Sequence, residues 1–293
     1  MNKIKQIQLT RIEQDLRQIA DMLLLNGTLT ECPGLVHGKM GIAVFFFHYA
    51  LYTGNELFAD YAMDLIGETL NQIHVNSPAD YEKGIAGIGV GIDYLIQNNF
   101  LNVEEDICED FDDRMVRAVM YDPCQDFSQY DGLTGYGRYW ISRLRYETPS
   151  VSARQCLLRI AARIAEKLPD ISIQEQTDVC CFLHDLQNIP GFDNCIGLLE
   201  QCRRNWDLQT PDITRSFPRL GDSVISNIIR MYQRGLYFND ALQDEIDIAL
   251  KQIPALDMEK TPAATGLLSG YAGEGMLRLT ALNQANISWM KLL

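Results

Sequence analysis

No stretch of eighteen or more residues in this 293-residue chain is free of charge, so no transmembrane helix is expected. Alternating polar and apolar runs bounded by turn signals are missing, which argues against strands. Neither a Cys-x-x-Cys nor a His-x-x-x-His spacing occurs, and histidine is scarce at four residues. Cations are in the minority, with 25 Lys and Arg against 39 Asp and Glu. The resulting net charge of −14 works against nucleic acid and anionic membrane surfaces as partners. It is compatible with a basic partner, although acidity also serves solubility alone. Residues 1–6, Met-Asn-Lys-Ile-Lys-Gln, lead into a charged amphipathic pattern and not an apolar leader, so a cytoplasmic protein is expected. Eight cysteines at 32, 108, 124, 156, 180, 181, 195 and 202 show no paired framework, and in a reducing compartment most are expected to be free, partly buried thiols.

What the chain does have is a repeat. Gly34-Leu-Val-His-Gly-Lys-Met-Gly41 returns as Gly84-Ile-Ala-Gly87-Ile-Gly, as Gly132-Leu-Thr-Gly135-Tyr-Gly and as Gly270-Tyr-Ala-Gly273-Glu-Gly. The shared core is Gly-x-x-Gly followed by a mostly apolar run, with first glycines at 38, 84, 132 and 270. The first two intervals are 46 and 48 residues, and the third is three times 46, so decayed copies are expected near 178 and 224. The second lies in Leu220–Tyr232; the first falls in Cys180–Gly191, where the register cannot be read.

The helical pattern alternates. In residues 4–25, Ile12, Leu16, Ile19 and Leu23 share one face, and Asn26-Gly27 ends the helix. Ile42–Leu51 is apolar nearly all round, the mark of a buried helix, whereas Glu56–Ile73 carries a single stripe. Buried-type segments follow at Ile88–Ile96, Tyr136–Leu144, Ser223–Tyr232 and Gly275–Leu282, and amphipathic ones at Glu104–Met120, Val151–Leu168 and Asn239–Ile253. Prolines at 78, 123, 149, 169, 211 and 262 fall between helices. An all-α fold is expected: one domain over residues 1–293, an α/α toroid of about six helical hairpins whose inner helices start at the glycines. The glycines are expected to supply positive-φ turns, and the inner-helix N-termini to face a common mouth.

Gly34-Leu-Val-His-Gly-Lys-Met-Gly-Ile-Ala43, Gly132-Leu-Thr-Gly-Tyr-Gly-Arg-Tyr139 and Gly266-Leu-Leu-Ser-Gly-Tyr-Ala-Gly273 resemble the repeats of the lanthionine synthetase C-like family, the lantibiotic cyclases and their relatives. The likeness runs the length of the chain. It implies an α/α toroid and, in the family's enzymes, a zinc ion that activates a precursor-peptide cysteine for addition to a dehydrated serine or threonine. This chain departs from that chemistry. The family's Trp-Cys-Tyr-Gly motif does not occur, and the pairs before the core glycines are Val36-His37, Glu82-Lys83, Tyr130-Asp131, Arg219-Leu220 and Leu268-Ser269, none of them Cys-His. Ser128 stands where the family has a functional aspartate. The resemblance therefore implies a toroid without the zinc site, an accessory protein that binds a precursor peptide or a peptide-modifying enzyme.

Repeat position places His37, Lys83, Asp131, Arg219, Asp222, Ser269 and Glu274 at the mouth. His37 is the natural base near neutral pH, and Asp131, Asp222 and Glu274 are the carboxylates available for an alternative, carbohydrate-directed chemistry. The bland reading makes Asp131 and Ser269 helix caps. Tyr130, Tyr136, Tyr139, Trp140 and Tyr271 could line the same mouth, although helical spacing puts several of them in the core. A relocated zinc site would draw on Cys180, Cys181 and His184, with Cys32, His37 and Cys124 preceding other buried helices, although adjacent cysteines do not easily bind one ion.

Overall fold

The computed structural model describes residues 3–102, 106–122, 124–145, 151–209, 224–238, 241–256 and 264–293. Twelve α-helices run through them, and among the described residues there is no strand. Two compact units emerge, Met1–Ile73 with Leu220–Leu293, and His74–Arg219.

The first unit contains α1 (Lys3–Asn26), α2 (Lys39–Thr53), α3 (Leu57–Gln72), α10 (Val224–Phe238), α11 (Gln243–Lys251) and α12 (Tyr271–Ala281). Lys39 to Tyr49 of α2 are all buried, as an apolar run without a polar face requires. By contrast α3 buries only Ala62, Leu65, Ile66 and Thr69. Between α2 and α3, Phe46 stacks on Phe58 and meets Tyr61 edge-on at 5.0 Å, and Tyr49 meets Phe58 edge-on at 4.8 Å. Gly54 ends α2 in the left-handed region at φ 67°, its N–H donating to the Ala50 carbonyl, a conformation that favours glycine. As expected, Ile12, Leu16, Ile19 and Leu23 of α1 all point into the core.

One ion-pair network ties α1 to α12. The buried Arg278 guanidinium donates through Nε to Asp15 Oδ2 at 3.0 Å and through Nη1 to Glu274, while Asp15 also accepts from the Leu256 amide. Arg11 donates to the Ile253 carbonyl. The chain's first helix is thereby fastened to its last.

The second unit contains α4 (Ile85–Gln97), α5 (Glu109–Met120), α6 (Leu133–Arg143), α7 (Val151–Lys167), α8 (Ile173–Gln187) and α9 (Cys195–Gln209). Every residue of α6 is buried, including Arg143, whose guanidinium is held by Asp106 and Asp112. Tyr139 also donates to Asp112, at 2.6 Å. Among the described residues α5 starts at Glu109, after a turn in which Asp106 Oδ1 accepts the Cys108 amide; position 104 of the expected segment lies outside the described residues. In α8 a full capping box, Ser172 with Glu175, sets the N-terminus. The region around 180–202, unreadable in the sequence, is thus the pair α8 and α9.

Candidate functional site

Each clear copy of the repeat begins its buried helix in the same way. The amide that follows the core glycine donates to a carbonyl seven residues earlier: Lys39 to Cys32, Ile85 to Pro78, Leu133 to Asp126 and Tyr271 to Ala264, at 2.9 to 3.0 Å. The core glycines Gly38, Gly84, Gly132 and Gly270 are themselves the N-caps, with extended backbones at φ between −101° and −138°. Two expectations are corrected here. Positive φ is not the reason for these glycines, and Asp131 and Ser269 are not the caps. The reason is close approach: a Cβ on Gly38, Gly84 or Gly132 would collide with that same carbonyl's residue, and one on Gly270 with the Gly266 amide.

The loops also join to one another. Tyr81 and Glu82 amides donate to the Tyr130 carbonyl, at 2.8 and 3.1 Å, linking the loop before α4 to the loop before α6. In the other unit Leu267 and Leu268 amides donate to the Val36 carbonyl, at 2.8 and 3.3 Å. Position for position these are the same bonds, so the last loop meets the first as the second meets the third.

The junction of the last and first loops holds a cleft of about 510 Å³. His37, Cys32, Glu31 and Thr30 line it from one loop, and Thr265, Gly266 and Ser269 from the other. Thr30 donates its hydroxyl to the Asn26 carbonyl at 3.0 Å, so in the 3.2 Å contact between Thr30 and Thr265 the donor is Thr265. Gly266 must lack a side chain because a Cβ there would meet the His37 backbone. His37 is half-buried and Ser269 exposed. With an imidazole, a carboxylate, a thiol and hydroxyls on a partly apolar floor, the cleft suits hydrogen-bonded capture of an extended ligand.

Of the expected site residues, His37 and Ser269 therefore share one cleft. Glu31, Thr30, Thr265 and Gly266 were missed, though Gly266 stands four residues before its core glycine just as Gly34 does. Lys83 and Asp131, in the other unit, stand exposed on neighbouring loops, with Lys83 3.6 Å from Glu82. Tyr136 is core at 8% exposure, its phenol pushed above the ordinary range chiefly by burial, and it hydrogen-bonds Cys124. Tyr130, Tyr139, Trp140 and Tyr271 are buried as well. Glu274 is engaged by Arg278 inside the α1–α12 network, so it is no free carboxylate at a mouth. Arg219 and Asp222 lie outside the described residues.

The fourth loop is different. Phe182 covers Gly137 as Tyr139 covers Gly89 and Phe45 covers Gly275, which makes Glu175 the counterpart of Gly132, three residues from the expected position. There α8 already runs, and side chains do what a loop carbonyl does elsewhere. Glu175 Oε1 accepts the Phe127 amide and Asp178 Oδ2 the Gln129 amide, both at 2.9 Å.

The cysteines nearby, Cys180 and Cys181, are buried free thiols. Burial pushes the Cys181 thiol well above its ordinary value, and its hydrogen bond to Cys202, then burial, does the same to Cys180. His184 faces Asp185 at 3.8 Å. Among the described residues no group of three or more His, Cys, Asp or Glu could hold a metal ion, and no helix is long and apolar enough to cross a membrane. No protein-family model matches the chain, and no curated protein is similar to it in sequence.

Proposed function

We propose that the chain is a lanthionine synthetase C-like α/α toroid of about six helical hairpins over residues 1–293, a non-catalytic accessory protein that binds a peptide in the course of peptide modification. The observation that carries the reading is the junction of the last and first loops. A closed ring makes the last repeat the neighbour of the first, and the Leu267 and Leu268 bonds to Val36 repeat those of Tyr81 and Glu82 to Tyr130. The cleft at that junction offers His37, Glu31 and hydroxyl groups to a ligand. In this reading the family's repeats persist while its zinc chemistry is gone, and the binding residues are His37 and Ser269, with Lys83 and Asp131 on equivalent loops.

The test is calorimetric titration of the purified chain with the precursor peptides encoded beside its gene. Micromolar binding that weakens about tenfold in His37→Ala, at unchanged thermal stability, supports the reading. No affinity for any of these peptides sinks it. Elemental analysis of protein purified without chelator runs in parallel, and one tightly held zinc per chain would replace this reading with a cyclase-type one.

A further inference from the structure

Cys180 on α8 and Cys202 on α9 face each other in the interior of the second unit with their sulfurs 2.8 Å apart. Both are buried, at 1% and 0% exposure. The Cys180 thiol donates to Cys202, whose own thiol donates to the Gln176 carbonyl at 3.5 Å. Cys181, adjacent in sequence and also buried, feels the charges of Asp178, Arg138 and Asp185 as well as Cys202, but the 2.8 Å sulfur contact to Cys202 is made by Cys180. Cys195 stands two turns before Cys202 on α9. The geometry thus selects one pair out of four nearby cysteines.

We propose that Cys180 and Cys202 form an oxidisable pair that closes into a disulfide joining α8 to α9. The oxidant is a low-molecular-weight disulfide. One protein thiolate attacks it, giving a mixed disulfide and one small thiolate; the second protein thiolate then attacks the mixed disulfide and expels the other small thiolate. The protein sulfurs lose two electrons and the small disulfide gains them, and the two thiol protons end on the two small thiols. Because both sulfurs are buried, each step waits on local opening of α8 from α9, so closure is slow in the native state. Closure reaches beyond the pair. Cys180 follows Glu175 and Asp178 on α8, the two carboxylates that hold the loop before α6, so a covalent tie from Cys180 to α9 restrains the helix that carries them, although the Cys202 thiol's bond to the Gln176 carbonyl is given up. Oxidation therefore stiffens the support of the Asp131 loop.

The experiment is incubation of the full reduced chain with oxidised glutathione, alkylation of the remaining thiols, and mass mapping without reduction. The expected result is the loss of two of the eight thiols, a link between the peptides of Cys180 and Cys202 that persists in Cys181→Ser, and a thermal midpoint raised by on the order of 5 °C and restored by dithiothreitol. The mapping is done on the unaltered chain, so it does not depend on a variant folding. A link to Cys181 or Cys195 instead, or eight alkylated thiols even after incubation in urea just below the unfolding transition, overturns the proposal.

Discussion

The ring of Phe45 on α2 occupies the space where a β-carbon on Gly275 of α12 would stand. Tyr139 does the same to Gly89, and Phe182 to Gly137. Gly275→Ala, Gly137→Ala and Gly89→Ala are each expected to cost about 1–3 kcal/mol, since a close-packed interface has nowhere to shift an aromatic ring. Gly67 and Gly197 are the internal controls: both are helical with nothing within 4 Å, so alanine there is expected to gain roughly 0.5–1 kcal/mol. Urea midpoints across the five variants check this, and equal losses at all five would refute the ring-in-glycine account.

Arg278 and Asp15 should behave as one unit. Arg278→Met leaves the Asp15 carboxylate buried without its cation and is expected to cost about 3–5 kcal/mol. Adding Asp15→Asn removes the stranded charge, so the double variant should be more stable than Arg278→Met alone. A double-mutant cycle with purely additive losses would mean that the two groups do not depend on each other.

His48, buried on α2, has its pKa lowered to about 4 by loss of solvation. The unfolded imidazole titrates near its ordinary 6.5, so as acid is added the unfolded chain takes the proton first. Stability from this group is complete above that value and drains away as pH falls toward about 4, by about 3 kcal/mol in all. Urea unfolding at a series of pH values should show the decline, and His48→Gln should lack it. An identical slope in both proteins would remove His48 as the cause.

The loop before α6 leans on side chains where the loops before α4 and α12 lean on backbone. Asp178→Asn weakens the acceptor for the Gln129 amide, and Asp178→Ala removes it. Gln129 amide exchange is expected to speed up in Asp178→Ala by about tenfold or more, matching a lost hydrogen bond of about 1.5–3 kcal/mol to a charged group. The Tyr81 amide, bonded to a carbonyl, serves as the reference that should move less.

Periodicity made the helices legible. The stripe Ile12, Leu16, Ile19, Leu23 and the all-apolar run of α2 declare their burial because burial is what selects residue type along a helix. The loops were less legible, since a glycine needed for close approach looks the same in sequence as one needed for positive φ. The fourth copy was hidden because Glu175 and Asp178 perform with carboxylates what the Tyr130 carbonyl performs without any side chain. Its surviving sign was an aromatic residue seven places after the core position, Phe45, Tyr139 and Phe182 in turn. Of the candidate site, His37 and Ser269 were readable from repeat position, whereas Glu274 was not excluded because its partner Arg278 gives no hint in sequence of meeting Asp15.

In all four glycine loops the amide that opens the helix is satisfied by the loop's own carbonyl, with no help from the residue just before the glycine. That residue is His37, Lys83, Asp131 or Ser269: an imidazole, an ammonium, a carboxylate and a hydroxyl set on one backbone form. The scaffold thus separates architecture from chemistry at a single site per loop. Substitution there can rewrite the chemistry that each loop presents, one letter at a time, while the helices beneath keep their places.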